Sequence, residues 1–130
     1  MKVAVDTNVL VRAVVQDDPR QGEIASKTVK AEVLAVGTSC LCEFVWVLRR
    51  VYGFKPSGIA ATIRELLASA NVATNRPAVE AGPAMLDASG DFADGVIAYE
   101  GRWVGGETFV SFDRKCVEML VAQDQAANLL

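Results

Sequence analysis

Histidine is absent from this chain, and with it goes the general acid/base chemistry that an imidazole supplies near neutral pH. Cysteine is scarce and odd in number: Cys40, Cys42 and Cys116, with no histidine beside them, cannot complete an ordinary four-ligand zinc site. Buried reduced thiols are the expected reading. Basic charge is short as well, with 13 Lys and Arg against 16 Asp and Glu and a net charge of -3. A free-standing electrostatic binder of nucleic acid needs the opposite balance, so any polyanion would have to be held with the help of metal and local basic patches. No run approaches the ~20 apolar residues that span a bilayer, and Asp6 and Asn8 interrupt the apolar stretch from Met1 to Leu10. A cytoplasmic protein with no membrane partner is expected. No Gly-x4-Gly-Lys-[Ser/Thr] loop, repeat, low-complexity tract or linker is present.

What is there is a 130-residue chain, 52% hydrophobic, expected to form one domain over residues 1–130 and to bury roughly two-thirds of its unfolded surface. Lys2 to Val5 reads as a strand closed by Asp6, and Val9 to Val15 as a short helix stopped by Asp17, Asp18 and Pro19. Arg20 to Ala31 suits an exposed helix, Val33 to Val36 a second strand, and Gly37-Thr38-Ser39 a turn into the next helix. There Leu41, Phe44, Val45, Leu48 and Tyr52 recur at helical spacing, with Glu43 and Arg50 on nearly the opposite side. Helices are predicted for Ser57 to Ala68, from about Pro77 to Gly90 with a kink or late start at Pro83, and from Asp91 to about Trp103. Asn71 to Thr74, Thr108 to Ser111 and Asn128 to Leu130 are the remaining strand candidates, with a helix after Asp113. Such alternation predicts an α/β fold with a parallel sheet and right-handed crossovers.

Four carboxylates stand out against this background. Asp6 and Asp113 directly follow strands, while Glu43 and Asp94 lie early in helices, so all four can reach the edge where strand carboxyl ends and helix N-termini gather. Each has an ordinary explanation. Asp6 and Asp113 suit N-caps worth about 1 kcal/mol, and Asp91 with Asp94 has capping-box spacing, which makes Asp91 structural. Glu43 is harder to explain as structure, because Cys42, Trp46 and Val47 on its side of the helix would partly desolvate it. Four caps have no reason to share an edge, whereas a divalent cation needs several hard oxygen ligands.

The segments Val5-Asp6-Thr7-Asn8-Val9-Leu10, Glu43 in its helix, Asp91-Phe92-Ala93-Asp94 and Phe109-Val110-Ser111-Phe112-Asp113 resemble, in order and across nearly the whole chain, the PIN-domain ribonucleases, especially the VapC-type toxins of bacterial type II toxin-antitoxin systems. The resemblance implies a PIN-like three-layer α/β/α fold around a central, mostly parallel sheet of four or five strands. It implies that Asp6, Glu43, Asp94 and Asp113 are catalytic and hold Mg²⁺ or Mn²⁺, supported by Asn8 and Ser111. Three departures are visible. Gly95 stands where a larger small residue is common, Ser111 replaces the more usual threonine, and Pro83 interrupts a helix; a shifted Asp94 is their expected consequence.

The activity so implied is metal-dependent hydrolysis of RNA phosphodiester bonds to 5′-phosphate and 3′-hydroxyl ends. Arg114 and Lys115, directly after Asp113, are the best placed of the basic residues to grip substrate. A homodimer and a VapB-like antitoxin are the partners that the resemblance supplies. Two other readings stay open: an acidic-site phosphohydrolase of another α/β family, with Asp6 as phosphoryl acceptor, and a PIN-like module that binds RNA or a partner without cutting.

Overall fold

The β-branched opening run forms a strand that stops short of Asp6, and very short strands ended by a turn or capping residue recur along the chain. In a computed structural model describing residues 1–130, the chain forms two compact units, Met1–Asn75 and Arg76–Leu130. No helix is long and apolar enough to cross a membrane.

The first unit runs β1 (Lys2–Ala4), α1 (Thr7–Val15), α2 (Pro19–Ala31), β2 (Val33–Ala35), α3 (Thr38–Arg50), α4 (Pro56–Ala68) and β3 (Val72–Ala73). Its strands lie in the order β1-β2-β3, all parallel, with Val3 opposite Leu34 and Leu34 opposite Val72. Leu34 of the middle strand is fully buried, as are Phe44 and Leu48 of α3 and Ile59 and Ile63 of α4. Asp18 caps α2 by accepting the Gln21 N–H, and Pro19 fills the first turn, where a missing N–H forfeits no helical bond. The end of α1 is tied to the end of α3 through Asp17: the Arg12 guanidinium and the Tyr52 hydroxyl donate to its two oxygens, each at 2.8 Å. These bonds pull the Asp17 carboxyl below its ordinary range, and they commit Arg12 to structure.

The second unit runs α5 (Arg76–Asp87), α6 (Phe92–Trp103), β4 (Phe109–Ser111), α7 (Arg114–Ala122) and β5 (Ala127–Leu129), with β4 and β5 parallel. Met85, Ala98, Cys116 and Leu120 form its core, covered by Phe109, Met119 and Ala127. Pro83 neither ends nor delays α5, which begins at Arg76 and carries it as a buried interior residue. The α5 and α6 helices approach closely at two glycines. A Cβ on Gly82 would come within 2.2 Å of the Phe92 ring, and one on Gly95 within 2.3 Å of the Ala81 carbonyl oxygen.

The expected α/β/α sandwich around a central sheet of four or five strands is not what forms. The chain is 62% helical, with a three-stranded parallel sheet and a two-stranded parallel ladder. All five strands occur where the apolar runs place them, and all pair in parallel. Each, however, is only two or three residues long, because Asp6, Gly37, Thr74 and Asp113 turn the chain into helices or loops almost at once. Apolar burial passes to the helices instead, and α3, α5 and α6 contribute much of it.

Candidate functional site

In the first unit β1 and β2 are parallel, so the chain leaves both at the same edge of the sheet. Asp6 follows β1 and caps α1, its side chain accepting the Thr7 N–H at 2.8 Å. Glu43 lies in the second turn of α3, the helix that follows β2. The desolvation expected of Glu43 does not occur. Glu43 is exposed and Trp46 beside it is 59% exposed, because α3 buries Leu41, Phe44, Val45 and Leu48 on its other side.

Between the two acids stands a thiol. Cys40 Sγ accepts a hydrogen bond from the Thr7 hydroxyl and donates to the Val5 carbonyl, both at 3.7 Å. Burial raises the Cys40 pKa, and the negative charges of Asp6 and Glu43 raise it further, so both carboxylates act on the same sulfur. Asn8 is exposed in the first turn of α1.

In the second unit Asp91 is the cap that its spacing predicts, accepting the Ala93 N–H at 3.0 Å. Asp94, in the first turn of α6, is half-buried, and its carboxyl pKa is raised by burial and then by the charges of Asp91 and Asp113, against a lowering hydrogen bond from the Cys116 thiol. Asp113 caps α7 by accepting the Cys116 N–H at 3.1 Å. Its own N–H donates to Ser111 Oγ at 2.9 Å, so Ser111 orients the backbone that carries Asp113. The Cys116 thiol is pushed up to about 12, by burial first and then by Asp94, Asp113 and Asp91. It stays protonated at neutral pH and can donate to Asp94.

Gly95 has its reason in the contact that it permits: the Ala81 carbonyl of α5 sits where a side chain would start. Asp94 lies beside it in the first turn of α6. Of the two cations after Asp113, Lys115 Nζ donates to the Ser89 carbonyl at 2.9 Å, while Arg114 is exposed.

The four sequence-predicted acids thus sort by unit, Asp6 with Glu43 around Cys40, and Asp94 with Asp113 around Cys116. Within neither unit do three or more Cys, Asp or Glu side chains assemble into a metal cage. A pair is nonetheless the donor set that Mg²⁺ takes, since it keeps several waters and binds through one or two carboxylates plus substrate phosphate oxygens. Thiols held protonated offer little to a soft ion, so carboxylate oxygens are the hard-ion donor type that each unit presents. Sequence reasoning missed the two cysteines as part of these groups. The available signal was spacing: Cys40 lies three residues before Glu43 and Cys116 three after Asp113, which puts each pair on one helical face.

No protein-family model matches the chain, and neither does any curated protein.

Proposed function

We propose that the chain is a Mg²⁺- or Mn²⁺-dependent endoribonuclease of the VapC type, with Asp6, Glu43, Asp94 and Asp113 as its working acids. The observation that carries the proposal is the crowding at Asp94. Burial first, and then the charges of Asp91 and Asp113, raise this half-buried carboxyl; a cation beside it would favour its ionised form, and a site that took up a cation in this way would suit phosphate chemistry. Asp6 and Glu43 form the second acid pair, exposed enough to meet solvent and substrate.

A divalent cation at such a pair supplies activation of water at neutral pH and neutralisation of charge at the scissile phosphate. The protein's part is to hold and aim the acids. Asp6 and Asp113 are fixed by the amides that they cap, Ser111 fixes the Asp113 backbone, and the Cys116 thiol fixes one side of Asp94. Arg114 is the exposed cation next to Asp113 and the proposed phosphate contact. What supports the toxin reading, with a VapB-like antitoxin and a homodimer as partners, is the ordered motif set in the sequence.

Digestion of an RNA panel by metal-stripped protein tests the proposal. Chain scission appears on adding Mg²⁺ or Mn²⁺, disappears in excess chelator and leaves 5′-phosphate ends. Cleavage that persists in chelator overturns the metal mechanism.

A further inference from the structure

We propose that Phe112 is a base-stacking residue, its ring carrying an unpaired base of an RNA strand whose phosphate lies against Arg114, so that the substrate class is single-stranded RNA. The inference rests on the nuclease reading above for the identity of the strand, and it deepens that reading. Its ground is the bend between β4 and α7, where Phe112, Asp113 and Arg114 are consecutive and all exposed, Phe112 at 84%.

The local fold holds the ring out rather than leaving it loose. Ser111 Oγ accepts the Asp113 N–H at 2.9 Å, a bond that spans Phe112, and the Asp113 carboxylate caps α7 on the other side. Of the two phenylalanines in this segment, Phe109 covers the core and Phe112 does not. A lone exposed apolar side chain is ordinary on a protein surface. What sets this one apart is its neighbours. A nucleotide offers an apolar base face and an anionic phosphate, and Phe112 with the exposed guanidinium two residues on complements both, the combination by which proteins hold single strands. Lys115 donates to the Ser89 carbonyl, which leaves Arg114 as the cation of this turn. Asp113, between ring and guanidinium, acts electrostatically on Asp94, so the ring adjoins the carboxylates of the second unit. Bases in a duplex stack on one another and show no free face, so a ring that needs one selects unpaired RNA.

The test is fluorescence anisotropy of a labelled single-stranded oligoribonucleotide and of its duplex, at low salt where charge contacts are least screened, and in chelator to prevent metal-dependent cleavage. Loss of one base–aromatic stack corresponds to roughly 5-fold or more in affinity. Phe112→Ala is therefore expected to bind the single strand weaker than wild type by about that factor, with unchanged duplex binding and unchanged Tm. Phe112→Trp, which keeps a π face, is expected to bind at least as tightly as wild type, and Phe112→Leu, apolar without one, as weakly as Phe112→Ala. Equal single-strand affinity of wild type and Phe112→Ala overturns the stack and leaves the ring to a protein contact. A Phe112→Leu variant that binds as wild type does, or a wild type that binds no single strand, overturns it too. Cleavage by the same proteins in Mn²⁺ separates the two readings. A wild type that binds through Phe112 and cuts nothing keeps the stack and removes the nuclease, whereas one that cuts while Phe112→Ala binds normally keeps the nuclease and removes the stack.

Discussion

Asp113 is a helix cap in the structure and, in the proposed function, a ligand as well, and substitution separates the two. As a cap it accepts the Cys116 N–H, which alanine loses at a cost of about 1 kcal/mol and asparagine largely keeps. As a ligand it needs its charge. Asp113→Asn is therefore expected to unfold in urea almost as wild type does and yet to lose RNA cleavage, while Asp113→Ala loses both; an asparagine variant with full cleavage would leave the cap as the whole role. Asp94 makes a pH prediction. Its folded carboxyl is raised above the ordinary 3.8, chiefly by burial, so the folded state keeps a proton that the unfolded chain has released. Stability from this group falls as pH rises from the ordinary value through the raised one, and the penalty persists above that window. In chelator, Asp94→Asn should be more stable than wild type at pH 7 and lose that advantage near pH 3. Urea midpoints at the two pH values check it, and an equal difference at both would show that ionisation is not the cause. The caps among the acids, Asp6, Asp91 and Asp113, were legible in the sequence because Asp at a helix start is a favoured N-cap. The thiols were not, because cysteine reads first as a small buried hydrophobe.

The clearest case among the elements is the α5 and α6 pair. In an open helix, Gly95→Ala would gain about 1 kcal/mol of propensity. Here the new methyl meets a backbone carbonyl at 2.3 Å, which cannot rotate away, and overpacking of this kind costs about 1–3 kcal/mol. A net loss of stability is expected from urea denaturation, together with weaker Mn²⁺ binding, because the neighbouring Asp94 moves with the helix; a stabilised Gly95→Ala would contradict the close approach. The sequence marked Gly95 as unusual, but its cause lies on another helix and has no local signal. Pro83 teaches the same lesson with the opposite sign. Local rules stop a helix there, yet α5 continues through it with Pro83 buried, so tertiary burial offsets a propensity cost of roughly 3 kcal/mol. Strand positions were legible from the β-branched runs between turns. Their pairing was not, because two or three residues carry too little alternation to specify a neighbour, and five correctly placed strands became a sheet of three and a ladder of two.

For the molecule as a whole, a net charge of -3 means that RNA cannot be gathered by surplus basic charge, and with Arg12 and Lys115 engaged in protein contacts the proposed function needs Arg114 and the divalent cation to attract phosphate. The central claim of the proposal is that cleavage depends on a divalent ion and on the acids of each pair. The most direct measurement is the rate of RNA cleavage against Mn²⁺ concentration for metal-stripped wild type, Asp6→Asn and Asp94→Asn, one substitution in each acid pair. The account predicts no cleavage without the ion, saturable activation of wild type, and at least roughly 10-fold slower cleavage in both variants at matched Mn²⁺. Cleavage by the wild type in excess chelator, or wild-type rates in either variant, would contradict it.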